Sequence, residues 1–120
     1  MKKTIAAGAA ARPAISLRGL DLERMQDSAH RACELLKALA NESRLLVLCQ
    51  LSHGEATVTE LQARVGLSQS ALSQHLAMLR ELGLVSARRS GRNVHYSIAS
   101  REAAAVIRTL YQEFCESDCG

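Results

Sequence analysis

Few residues in this chain have side chains and spacings suited to chemistry. Four cysteines stand at positions 33, 49, 115 and 119, and four histidines at 30, 53, 75 and 95. The histidines lack metal-ligand spacing, so surface or packing roles suit them better. No Cys-x-x-Cys pair is present, which removes the usual mark of a thiol–disulfide enzyme. No enzymatic activity, cofactor or resident metal is expected. Cys115 and Cys119 lie four apart, and with Cys49 or Cys33 they offer thiolates for a soft metal if the last helix continues. Two other groups stand out. One is an uncharged row, Gln69, Ser70, Ser73 and Gln74, and the other is a basic cluster, Arg88, Arg89, Arg92 and Asn93.

These groups need elements to position them. Thr57 with Glu60 three residues later fits a capping box that opens a helix carrying Leu61 and Val65. Gly66 suits the left-handed residue that ends such a helix, and Ser68 suits the cap of the next. In that second helix Leu72, Leu76, Leu79 and Leu82 follow at steps of four, three and three. On a helical wheel Leu72, Leu76 and Leu79 form the core-facing stripe. Gln69, Ser70, Ser73, Gln74 and Ala77 fall on the other side. A merely solvated face would carry more Lys and Glu; this one is short, uncharged and able to hydrogen-bond. It suits close approach of a helix N-terminus to base edges in a major groove.

After Gly83 the period changes from helical to two. Val85 and Ala87 alternate on one strand, and Val94, Tyr96 and Ile98 alternate on the return, with Ser90-Gly91 at the turn. An arginine-tipped hairpin directly after a reading helix is the wing of a winged helix-turn-helix. Upstream, a helix is expected over 21–39 with Met25, Ala29, Ala32, Cys33 and Leu36 as its apolar stripe. Asn41 suits the cap of a central, buried helix over 42–52, and residues 56–58 suit a short strand. A last helix over 101–116 places Ala103, Ile107, Leu110 and Phe114 in a seam for a partner helix. The fold class is mainly α with a small β-hairpin, and the first and last helices are expected to join a homodimer.

Composition agrees with this layout. The 120 residues are 48% hydrophobic but only 2% aromatic, which favours helix packing over a β-sandwich. The net charge of +3 is unevenly spread. Residues 1–20 hold four basic groups and no acid, residues 84–99 hold three and no acid, and the other 84 positions carry a net −4. Basic segments of this kind suit phosphate. Residues 1–20 read as a flexible basic tail, 21–116 as one domain and 117–120 as a short C-terminal tail. The start, MKKTIAAGAAA, has too short an apolar run for a secretory leader, and nothing approaches the ~18 apolar residues of a membrane span. A cytoplasmic location is expected, where cysteines serve redox or metal chemistry better than structural disulfides.

Three segments together carry a family resemblance: LLKALANESRLLVLCQL, VTELQARVGLSQSALSQHLAMLRELGLV and RRSGRNVHYSI. Over about residues 30–115 the chain resembles the ArsR/SmtB family of dimeric winged-helix repressors. The resemblance implies double-stranded DNA with an inverted-repeat operator as partner. It also implies that Gln69, Ser70, Ser73 and Gln74 face the major groove, while the wing arginines meet phosphate or minor groove. The family's arsenic-type site has Cys-x-Cys near the start of the third helix, but residues 57–61 lack cysteine. Its zinc-type site uses histidines on the last helix, and residues 101–116 contain none. RLLVLC and LYQEFC resemble instead the branch that responds to sulfide, persulfide and oxidants, the BigR-, SqrR- and HlyU-like repressors. That branch implies a switch in which Cys49 and Cys115 become linked directly or through added sulfur. The alternative within the family is a thiolate soft-metal sensor. Cys33 is expected in core or interface, and Cys119 is expected to be incidental.

Overall fold

Each helix begins where a side chain satisfies amides that have no partner within the helix. The structure, a computed structural model, describes residues 13–116. The elements in order are α1 (Leu22–Leu39), α2 (Glu42–Leu51), β1 (Ala56–Thr57), α3 (Val58–Val65), α4 (Gln69–Glu81), β2 (Val85–Ser90), β3 (Asn93–Ile98) and α5 (Arg101–Tyr111). A π-helical turn, Gln112–Glu116, extends α5. The chain divides into two units, residues 1–30 and 31–120, with the break inside α1. The described part of the first unit runs from Pro13 through a turn at Arg18–Gly19 into the first half of α1. There Asp21 Oδ1 accepts the Glu23 and Arg24 amides at 2.9 and 3.4 Å, so Asp21 caps the helix. The expectations for residues 1–12 and 117–120, Cys119 included, fall outside the described residues.

In the second unit only Ala40 and Asn41 separate α1 from α2. Asn41 Oδ1 accepts the Arg44 amide at 3.0 Å. Arg44 Nε in turn donates to the Ala38 carbonyl at 2.7 Å, placing a cation on the unpaired C-terminal carbonyls of α1. The core draws on every helix of this unit. Val47, Leu48 and Leu51 come from α2, Leu61 from α3, and Leu72, Leu76 and Leu79 from α4. Leu84 and Val85 close it beside Ala103 and Ile107 of α5.

In the second half of α1, Ala38 and Leu39 enter the core while Cys33 and Leu36 stay exposed, so much of its apolar stripe is surplus to this unit, as read from the sequence. Two other expectations change. α2 is not buried all round, since Leu46 is 53% exposed. The seam on the last helix divides: Ala103 and Ile107 are consumed by the subunit's own core, while Phe114 is 70% exposed. In each case a helical stripe proved wider than the small core it had to cover.

The three strands form one antiparallel sheet in the order β1-β3-β2. β1 is two residues long, pairing Ala56 with Tyr96 and Thr57 with His95. β2 pairs with β3 from Val85↔Ile98 to Ser90↔Asn93, leaving Gly91 and Arg92 as the two-residue turn. β1 runs straight into α3, so the wing is joined by backbone pairing to the start of the helix-turn-helix.

Candidate functional site

The helix-turn-helix is built from local contacts. Thr57 Oγ1 accepts the Glu60 amide at 3.2 Å, and Glu60 Oε1 accepts the Thr57 amide at 2.8 Å, completing the capping box. The Thr57 amide first, and then its hydroxyl at 3.3 Å, donate to the Glu60 carboxyl and hold it below its ordinary pKa. Gly66 ends α3 at φ 79°, donating its amide to the Gln62 carbonyl, a conformation that a side chain would strain. Ser68 Oγ then accepts the Ala71 amide at 3.1 Å and opens α4. α4 closes at Gly83 (φ 77°), where the Gly83 and Leu84 amides reach back to the Arg80 and Leu79 carbonyls. This paired closure turns the chain from the helix into β2.

Between those ends α4 has two faces. Leu72, Leu76 and Leu79 are buried. Gln69, Ser70, Ser73, Gln74 and Ala77 are exposed, so the polar row stands on an open surface at the positive end of the helix. No acidic residue lies in its first turn. His75 is half-buried beside Leu76, in keeping with a packing role.

The wing residues Arg88, Arg89, Arg92 and Asn93 are all exposed, but they are not equivalent. Arg88 forms a two-point ion pair with Glu55, Nε to Oε2 at 3.1 Å and Nη2 to Oε1 at 2.8 Å. Arg89 and Arg92 form no ion pair among the described residues. The Arg88 guanidinium holds the Glu55 carboxyl below its ordinary pKa and is itself raised. Sequence reasoning missed Glu55. It lies 33 residues from its partner and no local pattern marks it.

The thiols form the second arrangement. Cys33, Cys49 and Cys115 are in no disulfide in this structure. Cys49 is half-buried on α2, and Cys115 is exposed in the π-helical turn that extends α5. Cys115 comes near enough to influence Cys49 electrostatically. Burial first, and then the neighbouring Cys115, push the Cys49 thiol pKa up. An open cleft of about 860 Å³ adjoins Cys49, with His53, Ser97, Arg108, Tyr111 and Glu116 among its walls. Cys33 is exposed in α1, outside the subunit core, which leaves the interface as the other place expected for it. Among the described residues no cluster of three or more His, Cys, Asp or Glu is arranged to hold a metal ion.

A capped helix pair, an open polar face on the second helix and an antiparallel hairpin behind it define a winged helix-turn-helix protein. Residues 41–87 match the family model described as "Bacterial regulatory protein, arsR family". The chain is 46% identical over 99 residues to the transcriptional activator HlyU of Vibrio cholerae, covering 82% of this chain and 92% of that one. The solved structure of reduced HlyU from the same organism superposes with a TM-score of 0.73 at 47% identity, covering 78% of this chain and 98% of that one. The crystal structure of the transcriptional repressor BigR from Xylella fastidiosa superposes at 0.77 with 38% identity, covering 80% and 98%. The chain therefore belongs to the arsR family of bacterial regulatory proteins, among relatives of the redox-responsive branch.

Proposed function

We propose that this protein is a cytoplasmic, homodimeric transcriptional repressor that binds an inverted-repeat operator and releases it when Cys49 and Cys115 are linked. Gln69, Ser70, Ser73 and Gln74 read base edges in the major groove. Arg89, Arg92 and Asn93 meet the DNA backbone from the wing. The exposed Phe114 and Leu36 belong to the surface that a second copy covers. No described helix is long and apolar enough to cross a membrane.

The observation that carries the switch is that Cys49 and Cys115, far apart in sequence, come within electrostatic reach of each other. The chemistry needs a reactive sulfur species or an oxidant as inducer. A hydropersulfide transfers its outer sulfur to one cysteine thiolate, which becomes a persulfide, and the donor leaves as a thiol. The second thiol attacks the inner sulfur of that persulfide, closing a disulfide and expelling hydrogen sulfide; further donors lengthen the bridge. With a peroxide, the first cysteine becomes a sulfenic acid and the second displaces water. Either bridge ties α2 to the end of α5. Half-sites about 34 Å apart tolerate little change in the spacing of two reading helices. A coupling of roughly 1–3 kcal/mol, about 5- to 150-fold in affinity, is the usual scale.

Treating the protein with a persulfide and measuring its intact mass tests the switch. A loss of two hydrogens, or gains of about 32 Da per retained sulfur, is expected, together with release of DNA in a gel-shift assay. Cys49→Ser is expected to bind DNA normally and to resist release. Unchanged release from that variant eliminates the pair. Stoichiometric metal retained at neutral pH, with no sulfur added, establishes the soft-metal sensor in its place.

A further inference from the structure

The four polar groups on the wing divide by one contact, the grip of Glu55 on Arg88. β3 lies between β1 and β2, and Thr57, His95 and Arg88 sit on successive strands at one level. Glu55, two residues ahead of Thr57, reaches across from the β1 edge and meets an arginine on the opposite edge strand. The contact is a two-point fork at 3.1 and 2.8 Å, the geometry with which a guanidinium also grips a phosphate. Both side chains are open to solvent, Arg88 at 56% and Glu55 at 40%. Phosphate can therefore reach the site, and the carboxylate already fills it.

We infer that Glu55 occupies Arg88 in place of a DNA phosphate, so that each wing presents two arginines without an ion pair among the described residues, Arg89 and Arg92, rather than three. The inference rests on the reading that the wing meets DNA. Its consequence concerns specificity. A phosphate contact tightens every DNA sequence alike and steepens the dependence of affinity on salt. Withholding one lowers binding to non-operator DNA and leaves a larger share of the affinity to the base-reading face of α4. The carboxylate remains charged at neutral pH, since Arg88 holds its pKa down, so the site stays occupied under ordinary conditions.

The test is a double-mutant cycle on the full chain, measuring affinity for a non-operator duplex long enough for two half-sites between about 50 and 200 mM salt. Glu55→Gln is expected to bind more tightly and to steepen the logarithmic salt slope by about 0.9 per wing, roughly a 3- to 4-fold larger change in affinity over that range. Arg88→Gln alone is expected to cost less than Arg89→Gln. In the Arg88→Gln background, Glu55→Gln is expected to add nothing, because no masked cation remains to release. An equal gain from Glu55→Gln in both backgrounds reduces the effect to general charge and overturns the inference while leaving the wing's DNA role intact. Weaker binding by Glu55→Gln, with its fold confirmed by circular dichroism, overturns it in favour of a purely structural clasp. Absence of DNA binding by the unaltered protein overturns the DNA reading and this inference together.

Discussion

The helix-turn-helix and the α2–α5 thiol region are built by different means. From Thr57 to Gly83, each boundary is set by contacts between residues at most five apart: a capping box, a glycine closure, a serine cap and a paired closure at Gly83. The thiol region has no such local code. Cys115 comes within electrostatic reach of Cys49 because α5 packs Ala103 and Ile107 into the core that α2 also lines, and a π-helical turn follows Tyr111. A reader assembled from short-range contacts holds its shape through a change elsewhere. The thiol pair depends instead on long-range packing, and π-helical turns such as Gln112–Glu116 are frequent at functional sites.

The largest test of this contrast compares two apolar side chains. Leu76, 1% exposed on the inner face of α4, anchors the reader, and Leu76→Ala is expected to cost about 2–5 kcal/mol in denaturant unfolding. Phe114 is larger but 70% exposed, and Phe114→Ala is expected to change subunit stability by only about 0.5 kcal/mol or less. Its effect is expected in assembly, as a weaker dimer in analytical ultracentrifugation. A loss of stability at Phe114 comparable with that at Leu76 would erase the distinction between the two regions.

A smaller effect sharpens the local half of the comparison. Thr57→Ala removes the hydroxyl that caps α3 and is expected to cost about 0.5–2 kcal/mol, read by thermal unfolding. The same box carries a pH signature. Glu60 is held below its ordinary pKa in the folded protein, so the stability it contributes is complete above the ordinary Glu range, near 4.3. That contribution is lost as pH falls through the lowered folded value. Thr57→Ala keeps the backbone amide that lowers the Glu60 pKa most and removes only the smaller hydroxyl contribution, so most of that acid limb is expected to survive it; loss of the whole limb would show that the hydroxyl, not the amide, sets the shift.

The smallest effect concerns Cys49. Burial and Cys115 favour its neutral thiol, so at neutral pH iodoacetamide is expected to modify Cys49 more slowly than an unstructured cysteine peptide, as read by peptide mass spectrometry. The sign is fixed by the raised folded pKa. The thiol form is favoured below the ordinary thiol range near 8.5, the associated stability is lost as pH rises through the folded value, and reactivity climbs over the same interval. Cys115→Ser is expected to remove the smaller part of the upward shift, leaving burial. A Cys49 that reacts at the free-thiol rate would break the proposed long-range arrangement.

Much of the reader was legible from residue order. Asn41, Thr57, Ser68 and Gly66 announce helix ends because a cap is a contact over three or four residues. The alternation of Val94, Tyr96 and Ile98 announces β3 because a strand repeats every two. The same reasoning reached only part of the seam on the last helix. Periodicity identifies an apolar face without saying what covers it, and here the subunit core takes Ala103 and Ile107 but leaves Leu36 and Phe114 outside. The four wing residues were also treated as one class, since nothing near Arg88 in sequence separates it from Arg89.

By itself, then, the order of residues determined where the helices and the hairpin begin and end, and which face of α4 is polar, because those features depend on neighbours within about one turn. The tertiary structure decided which apolar faces are buried, which arginine Glu55 occupies and which thiol lies near Cys49. Each of those depends on two distant segments being brought together by closure of one small core, and no property of either segment alone specifies the other.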